Sequence, residues 1–93
     1  MMIMEKLFDT RILMPDRKVF EGRLSSLIAP GELGYFGILA NHAPFITTLR
    51  PGKIMMRDEA GKAQYLYSSG NGYLKVSGNE VTILLDSLES KAA

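Results

Sequence analysis

The chain has 93 residues, and its 11 Lys and Arg residues nearly balance its 10 Asp and Glu residues, leaving a net charge of +1 at pH 7. With no run of basic residues, this charge argues against a nucleic-acid partner. The chain has no cysteine, which excludes disulfides and thiolate metal sites, so hydrophobic burial must stabilise one small core.

The apolar runs are far shorter than the ~20 residues that span a bilayer. The start "MMIMEKLFD" reaches acidic residues too early for a signal peptide. We therefore expect a soluble protein that is not exported.

The first predicted strand runs from Phe8 to Met14. Apolar side chains such as Phe8 and Ile12 occupy its even positions, whereas Asp9 and Arg11 occupy odd positions. This alternation is typical of a strand with one buried face.

A second, longer strand is predicted from Val19 to Ala29, after a turn at "PDRK". Phe20, Leu24 and Ile28 share one set of alternating positions, with Gly22 and Ser26 between them. The length of this strand and its Gly22 predict that it bends or bulges and serves two sheets.

The segment from Gly34 to Pro44 is rich in glycine, asparagine and proline, which are typical of turns. Gly34 and Gly37 bracket two aromatic residues, Asn41 tolerates a positive φ, and Pro44 keeps its predecessor extended. We predict a shaped turn that precedes a strand and presents side chains at one edge of the fold.

Two hairpins are predicted in the second half of the chain, and no segment before Ser87 shows a helical stripe. Turn residues "DEAG" and "GNE" separate the paired runs, which are "KIMMR" with "AQYLYSS" and "GYLKVS" with "VTILLD". Short strands with regular turn signals predict an all-β fold. We expect an antiparallel β-sandwich of about eight to ten strands, forming a single domain over residues 1–93.

Candidate chemistry is sparse. His42 is the sole histidine, so it lacks the partners of a metal site, and a hydrogen-bonded structural role is the favoured interpretation. A small hydrolase that pairs His42 with a serine of "LSSL" or "YSSG" stays a distant alternative. The stretch "GELGYFG" lacks the ending of a phosphate-binding loop, and turn glycines explain it better. We predict no catalytic residue, metal or cofactor.

The stretch "GYFGILANHAPFITTLRPGKI" closely resembles the N-terminal domain of the epsilon subunit of F-type ATP synthases, called delta in mitochondria. The resemblance extends to "PDRKVFEG", "YLYSSGNGYLKV" and "NEVTILLDSLE", and so it covers Leu7 to Glu89. It implies a β-sandwich of about ten strands on the central rotor stalk. Such a domain contacts the gamma subunit and the ring of c subunits, and it couples ion translocation to ATP synthesis without catalysis.

The resemblance also implies site residues. A Glu near the c ring often follows the first Gly of the family's Gly-x-x-Gly loop; here Tyr35 holds that position, and Glu32 lies three residues earlier. We expect Met14, Glu32, Tyr35 and Phe36 on the c-ring side. The family's histidine lies toward gamma, so His42 is expected on the gamma side.

The resemblance further implies a peripheral location on the cytoplasmic face of the bacterial inner membrane, with no self-association. Many relatives continue into a helical hairpin, whereas this chain stops at "ESKAA". We expect a naturally short form of the subunit. A truncated chain is the alternative. A stand-alone β-sandwich interaction module with an unknown partner is the alternative function, and co-purification with an ATPase complex would distinguish the two.

The chain by itself should not bind ATP, because it lacks a phosphate-binding loop and the helical hairpin that carries nucleotide contacts in some relatives. Thermal unfolding with and without millimolar ATP tests this prediction. A site filled at a thousand times its dissociation constant would add ~4 kcal/mol to the free energy of unfolding. A rise in Tm above ~10 °C would therefore contradict it.

Overall fold

Residues 6–89 are described by a computed structural model, in which they form eight β-strands and no helix. The predicted all-β sandwich is confirmed, with a strand number inside the expected range. The prediction of one domain over residues 1–93 extends beyond the described part and stays a prediction. The strands are β1 (Phe8–Met14), β2 (Arg17–Gly31), β3 (Gly34–Leu39), β4 (Phe45–Leu49), β5 (Gly52–Asp58), β6 (Ala63–Ser68), β7 (Gly72–Ser77) and β8 (Glu80–Leu85).

The strands form one hydrogen-bonded sheet that folds into two layers. Strand β2 pairs with β1 along its first half and with β3 and β5 along its second half. One layer continues from β1 through β8 and β7 to β4, and the other continues from β5 to β6. All neighbours are antiparallel except β1 and β8, which are parallel.

A bulge in β2 makes this sharing possible. Its pairing with β5 shifts register between Leu24 and Ser26, and the consecutive residues Leu24 and Ser25 are both buried. An extra residue switches which alternate positions face inward. The predicted bulge in β2 is confirmed, and β2 serves two layers of one sheet rather than two separate sheets. Beyond the bulge Leu27 is buried and Ile28 faces outward, so Ile28 does not share the face of Leu24 as its alternating position predicts.

The core lies between the layers and is almost entirely aliphatic. Burying a Leu or Ile side chain contributes about 1.5–3 kcal/mol relative to leaving it exposed. Every strand supplies at least one member of this core. The buried apolar residues are Phe8, Ile12, Leu24, Leu27, Ala29, Ile38, Leu49, Ile54, Met56, Leu66, Leu74, Val76, Val81, Ile83 and Leu85.

Both predicted hairpins are confirmed. Strands β5 and β6 are joined through a turn in which Gly61 has a φ of +84°. Strands β7 and β8 are joined through Gly78 and Asn79, both with positive φ. Glycine and asparagine tolerate this conformation, which explains the turn residues found there.

The segment from Gly34 to Pro44 differs from the predicted shaped turn. Gly34 to Leu39 is strand β3, paired with β2 across a two-residue turn at Glu32 and Leu33. The strand forms because Phe36 and Ile38 face inward while their neighbours face outward, which is the period of a β-strand. Only Ala40 to Pro44 forms the irregular connection that the sequence predicted.

Thr10 is the exception in the core. It is 1% exposed, and its Oγ1 atom has no hydrogen-bond partner within residues 6–89. We expect Thr10→Val to raise the free energy of unfolding by about 1–2 kcal/mol, since it removes a buried hydroxyl that is not hydrogen-bonded. Denaturant unfolding measures the change.

The control is Ser68→Ala, because Ser68 is also buried but its hydroxyl donates to the Gly70 carbonyl at 2.9 Å. That substitution should lower the free energy of unfolding by about 1 kcal/mol. A loss of stability in Thr10→Val would show that its hydroxyl is satisfied in solution.

Candidate functional site

One end of the sandwich gathers the connections between several strands. Cross-strand register places Gly31 opposite Leu49, Leu49 opposite Gly72, and Gly72 opposite Leu85. Three adjoining depressions run along this end, and we call them together the end surface. Glu32 and Arg50 line both the first and second depressions, while Tyr73 and Asp86 line both the second and third.

Tyr35 is positioned at the first depression by its own hydrogen bond. It lies on the outer side of β3, and its hydroxyl accepts a hydrogen bond from the backbone N–H of Lys53 at 3.1 Å. A Cβ atom at Gly52 would lie 2.8 Å from that hydroxyl. Glycine at position 52 therefore lets the tyrosine side chain cross β2 and reach β5.

Glu32 lies in the tight turn between β2 and β3, beside the fully exposed Leu33. Arg50 lines the same depression, and its backbone N–H donates to the Pro30 carbonyl at 2.9 Å. The centre of the end surface thus carries acidic groups from Glu32 and Asp86 and a basic group from Arg50. Such a mixed surface suits a polar partner loop.

Met14 lies in the third depression, which is mainly apolar and has a volume of about 330 Å³. It ends β1 and is half-buried, next to Pro15 at the turn into β2. The exposed side chains of Tyr73 and Leu84 contribute to the same hollow. The structure therefore brings Met14, Glu32 and Tyr35 to one end of the fold.

Phe36 does not share the surface of its neighbour Tyr35. It faces inward and packs edge-to-face against Phe45 of β4, with ring centroids 5.7 Å apart. A Cβ atom at Gly31 would lie 2.9 Å from the Phe36 ring. Phe36 therefore supports β3 from inside the sandwich.

His42 lies at the opposite end, in the connection between β3 and β4. The ring is half-buried; its Nδ1 lies 2.7 Å from the Ala43 carbonyl, and it contacts the Phe45 ring at 5.5 Å between centroids. The exposed apolar side chains of Leu39 and Ile46 flank this connection. The predicted c-ring and gamma residues are thus separated along the strands.

The side chain of Asn79 fixes the connection that carries His42. Its Oδ1 accepts from the Asn41 N–H at 2.7 Å, and its Nδ2 donates to the Leu7 carbonyl at 2.9 Å. One side chain therefore joins the β3–β4 connection to the entrance of β1.

Sequence reasoning missed several residues of the end surface. Tyr73 is 59% exposed and Leu84 is 47% exposed, and they face each other across β7 and β8. The signal was available, because both are large apolar residues at the solvent-facing positions of alternating strands. The proximity of Arg50 and Asp86 follows from strand pairing and had no local signal.

Residues 6–89 contain neither a cluster of metal-ligating side chains nor a membrane-spanning helix. No three His, Asp or Glu side chains in this part of the chain come together as a metal site. Likewise, none of its segments forms a helix long and apolar enough to cross a membrane.

Comparison with known proteins identifies the family. The family described as "ATP synthase, Delta/Epsilon chain, beta-sandwich domain" matches residues 7–91. The chain belongs to this family.

Curated relatives of the delta/epsilon family support the assignment. The chain is 40% identical over 79 residues to the ATP synthase epsilon chain of Dichelobacter nodosus, covering 85% of this chain and 54% of the relative. It is 40% identical over 75 residues to the epsilon chain of Caulobacter vibrioides, covering 81% of this chain and 85% of that relative. The chain thus spans little more than half the length of the Dichelobacter relative.

Solved structures confirm the fold. A chain of the Euglena gracilis mitochondrial ATP synthase, from a structure of OSCP, F1 and the c-ring, has a TM-score of 0.84 at 18% identity, covering 94% of this chain and 55% of that one. A chain of the Tetrahymena thermophila mitochondrial ATP synthase, from a structure of the central stalk and c-ring, has a TM-score of 0.75 at 16% identity, covering 95% and 69%.

Asn79→Ala should lower the free energy of unfolding by about 2 kcal/mol, because it removes two hydrogen bonds and places alanine, which tolerates positive φ less well than asparagine, at a φ of 61°. The control is Asn79→Gly, which accepts that φ and should lose only the hydrogen bonds, about 1 kcal/mol. Denaturant unfolding compares them. Equal stability of Asn79→Ala and the parent chain would show that this side chain does not hold the two segments together.

Proposed function

We propose that this chain is a non-catalytic rotor subunit of an F-type ATP synthase, which docks on the gamma subunit and the c ring and couples ion translocation to ATP synthesis. The match of the delta/epsilon family to residues 7–91 carries this proposal. Relatives named as ATP synthase epsilon chains and the fold of central-stalk structures support it.

The end surface is the proposed contact with the c ring. Its centre presents carboxylates and a guanidinium, and its flanks present exposed apolar side chains. Charged groups at an interface orient the partner and give specificity, and exposed apolar side chains serve as anchors. We assign Met14, Glu32 and Tyr35 to direct contact, whereas Phe36 acts from inside the sandwich by supporting the strand that carries Tyr35.

The proposed contact with gamma lies toward the other end, at His42. The exposed side chains of Leu39 and Ile46 beside it supply apolar area for docking. Two contacts at separated ends allow one rigid domain to join two rotor parts.

The proposed location follows from the assembly. A subunit bound to the c ring of a bacterial enzyme lies peripherally on the cytoplasmic face of the inner membrane. The chain acts there as a single domain over residues 1–93, as one copy and without its own cofactor. Co-purification with the ATP synthase complex is the direct test, and a partner outside that complex would favour the stand-alone interaction module.

Glu32→Arg in the assembled complex should weaken attachment to the c ring, since it replaces a central carboxylate of the end surface by a cation. We expect about a fivefold higher dissociation constant, measured as recovery of the membrane sector with the rotor. Its matched control is Glu59→Arg, the same charge change in the exposed turn after β5, away from Glu32. Equal recovery in both variants would remove Glu32 from the ring contact.

A further inference from the structure

Strand β3 has a free edge. Among residues 6–89 it pairs only with β2, so its other side carries unpaired main-chain groups. Phe36 on β3 packs against Phe45 on β4, so β3 is held against the layer that contains β4.

Pro30 identifies which main-chain groups point outward. It lies opposite Tyr35, has no N–H to donate, and its carbonyl accepts the Arg50 N–H on the side of β2 away from β3. Pro30 and Tyr35 therefore form a pair without mutual hydrogen bonds. Because such pairs alternate along an antiparallel ladder, the N–H and C=O groups of Tyr35, Gly37 and Leu39 point away from β2.

The side chains along this edge form a notch over Gly37. Among residues 6–89, the only heavy atom within 4 Å of a Cβ atom at Gly37 would be the Leu27 carbonyl oxygen, at 3.8 Å. Tyr35 and Leu39 stand on either side of it on the same outer face and are 59% and 66% exposed. A large side chain from another strand fits over the glycine between them.

Within the described residues, the edge also lacks the usual protection against strand addition. Exposed edges are normally blocked by charged residues, proline, bulges or a covering segment. The sequence "GYFGIL" of β3 contains no charge and no proline. The other layer edge, β6, is partly covered, because the Glu89 N–H donates to the Tyr67 carbonyl at 2.8 Å and Leu88 bridges to Ser68.

We propose that the β3 edge from Tyr35 to Leu39 receives an extended, uncharged segment of a partner polypeptide, which adds a strand to the sheet and places a large apolar side chain over Gly37. Three N–H and three C=O groups repeat along this edge at about 6.8 Å, a spacing that an extended polypeptide matches. This inference rests on the proposed function, under which Leu39, at the end of this edge, belongs to the contact with the gamma subunit, so the partner is gamma.

A proline at position 37 tests the mode of docking. Gly37→Pro removes an outward N–H without removing a hydrogen bond to β2, so the fold is retained while strand addition is blocked. The dissociation constant for purified gamma, measured by calorimetry with the full chain, should rise about tenfold or more.

The matched control is Ala63→Pro, which removes an outward N–H from β6. The Asp58 N–H bonds to the Lys62 carbonyl, so the next pair, Arg57 and Ala63, is of the unbonded kind. Its affinity for gamma should equal that of the parent. Parent-like affinity of Gly37→Pro, or equal losses in both variants, would overturn the edge proposal alone. A parent chain that does not bind gamma would overturn the proposed function as well.

Amide hydrogen exchange on the unsubstituted chain gives an independent readout. In the free chain, the amides of Tyr35, Gly37 and Leu39 should exchange faster than those of Phe36 and Ile38, which bond to β2. Binding of gamma should slow the first three by at least about tenfold. Fast exchange of these three amides in the complex would overturn the proposal, and concentration-dependent protection in the free chain would assign the edge to a second copy instead.

Discussion

The fold depends on one strand serving two layers. Strand β2 pairs with β1 and then with β3 and β5, so it holds together parts of the sheet that face each other across the core. A strand of regular alternation would turn its apolar face away from the core after bending into the second layer. The bulge next to Ser25 corrects this by one residue, so that Leu24 before it and Leu27 after it both face inward.

The same bulge determines which β2 side chains are exposed on the outer face of the second layer. Because the phase changes there, Ile28 joins the outer face of the second layer, where it lies between Gly37 of β3 and Met55 of β5. The edge strand β3 therefore borders an apolar outer face as well as an apolar interior. A free edge with apolar surface on its outer side is more favourable for a partner strand than one bordered by charges.

The sequence predicted the individual strands better than their pairing and their positions relative to one another. Alternation was enough to find β1 and the two later hairpins, because those patterns are local. Alternation alone also places Tyr35 and Phe36 on opposite faces, which the grouping of both as contact residues overlooked. Ile28 does not share the face of Leu24, as its alternating position predicts, because the one-residue bulge at Ser25 shifts the alternation from there on. The joint position of Arg50 and Asp86 depends on pairing between distant strands, which composition and periodicity do not encode.

Tyr35 links the two surfaces that the proposals assign to different partners. Its hydroxyl is held by the Lys53 N–H at the end surface, while its own N–H and C=O point along the free edge of β3. Phe36, the next residue, packs against Phe45 and fixes the same strand from inside. The side chain of Tyr35 belongs to the end surface, and its main chain belongs to the β3 edge. A movement of the end surface that displaces Tyr35 therefore also displaces the start of the β3 edge. Packed protein interiors deform little under load. In a rotor, this connection through Tyr35 therefore favours rotation of the end surface and the β3 edge together as one rigid body.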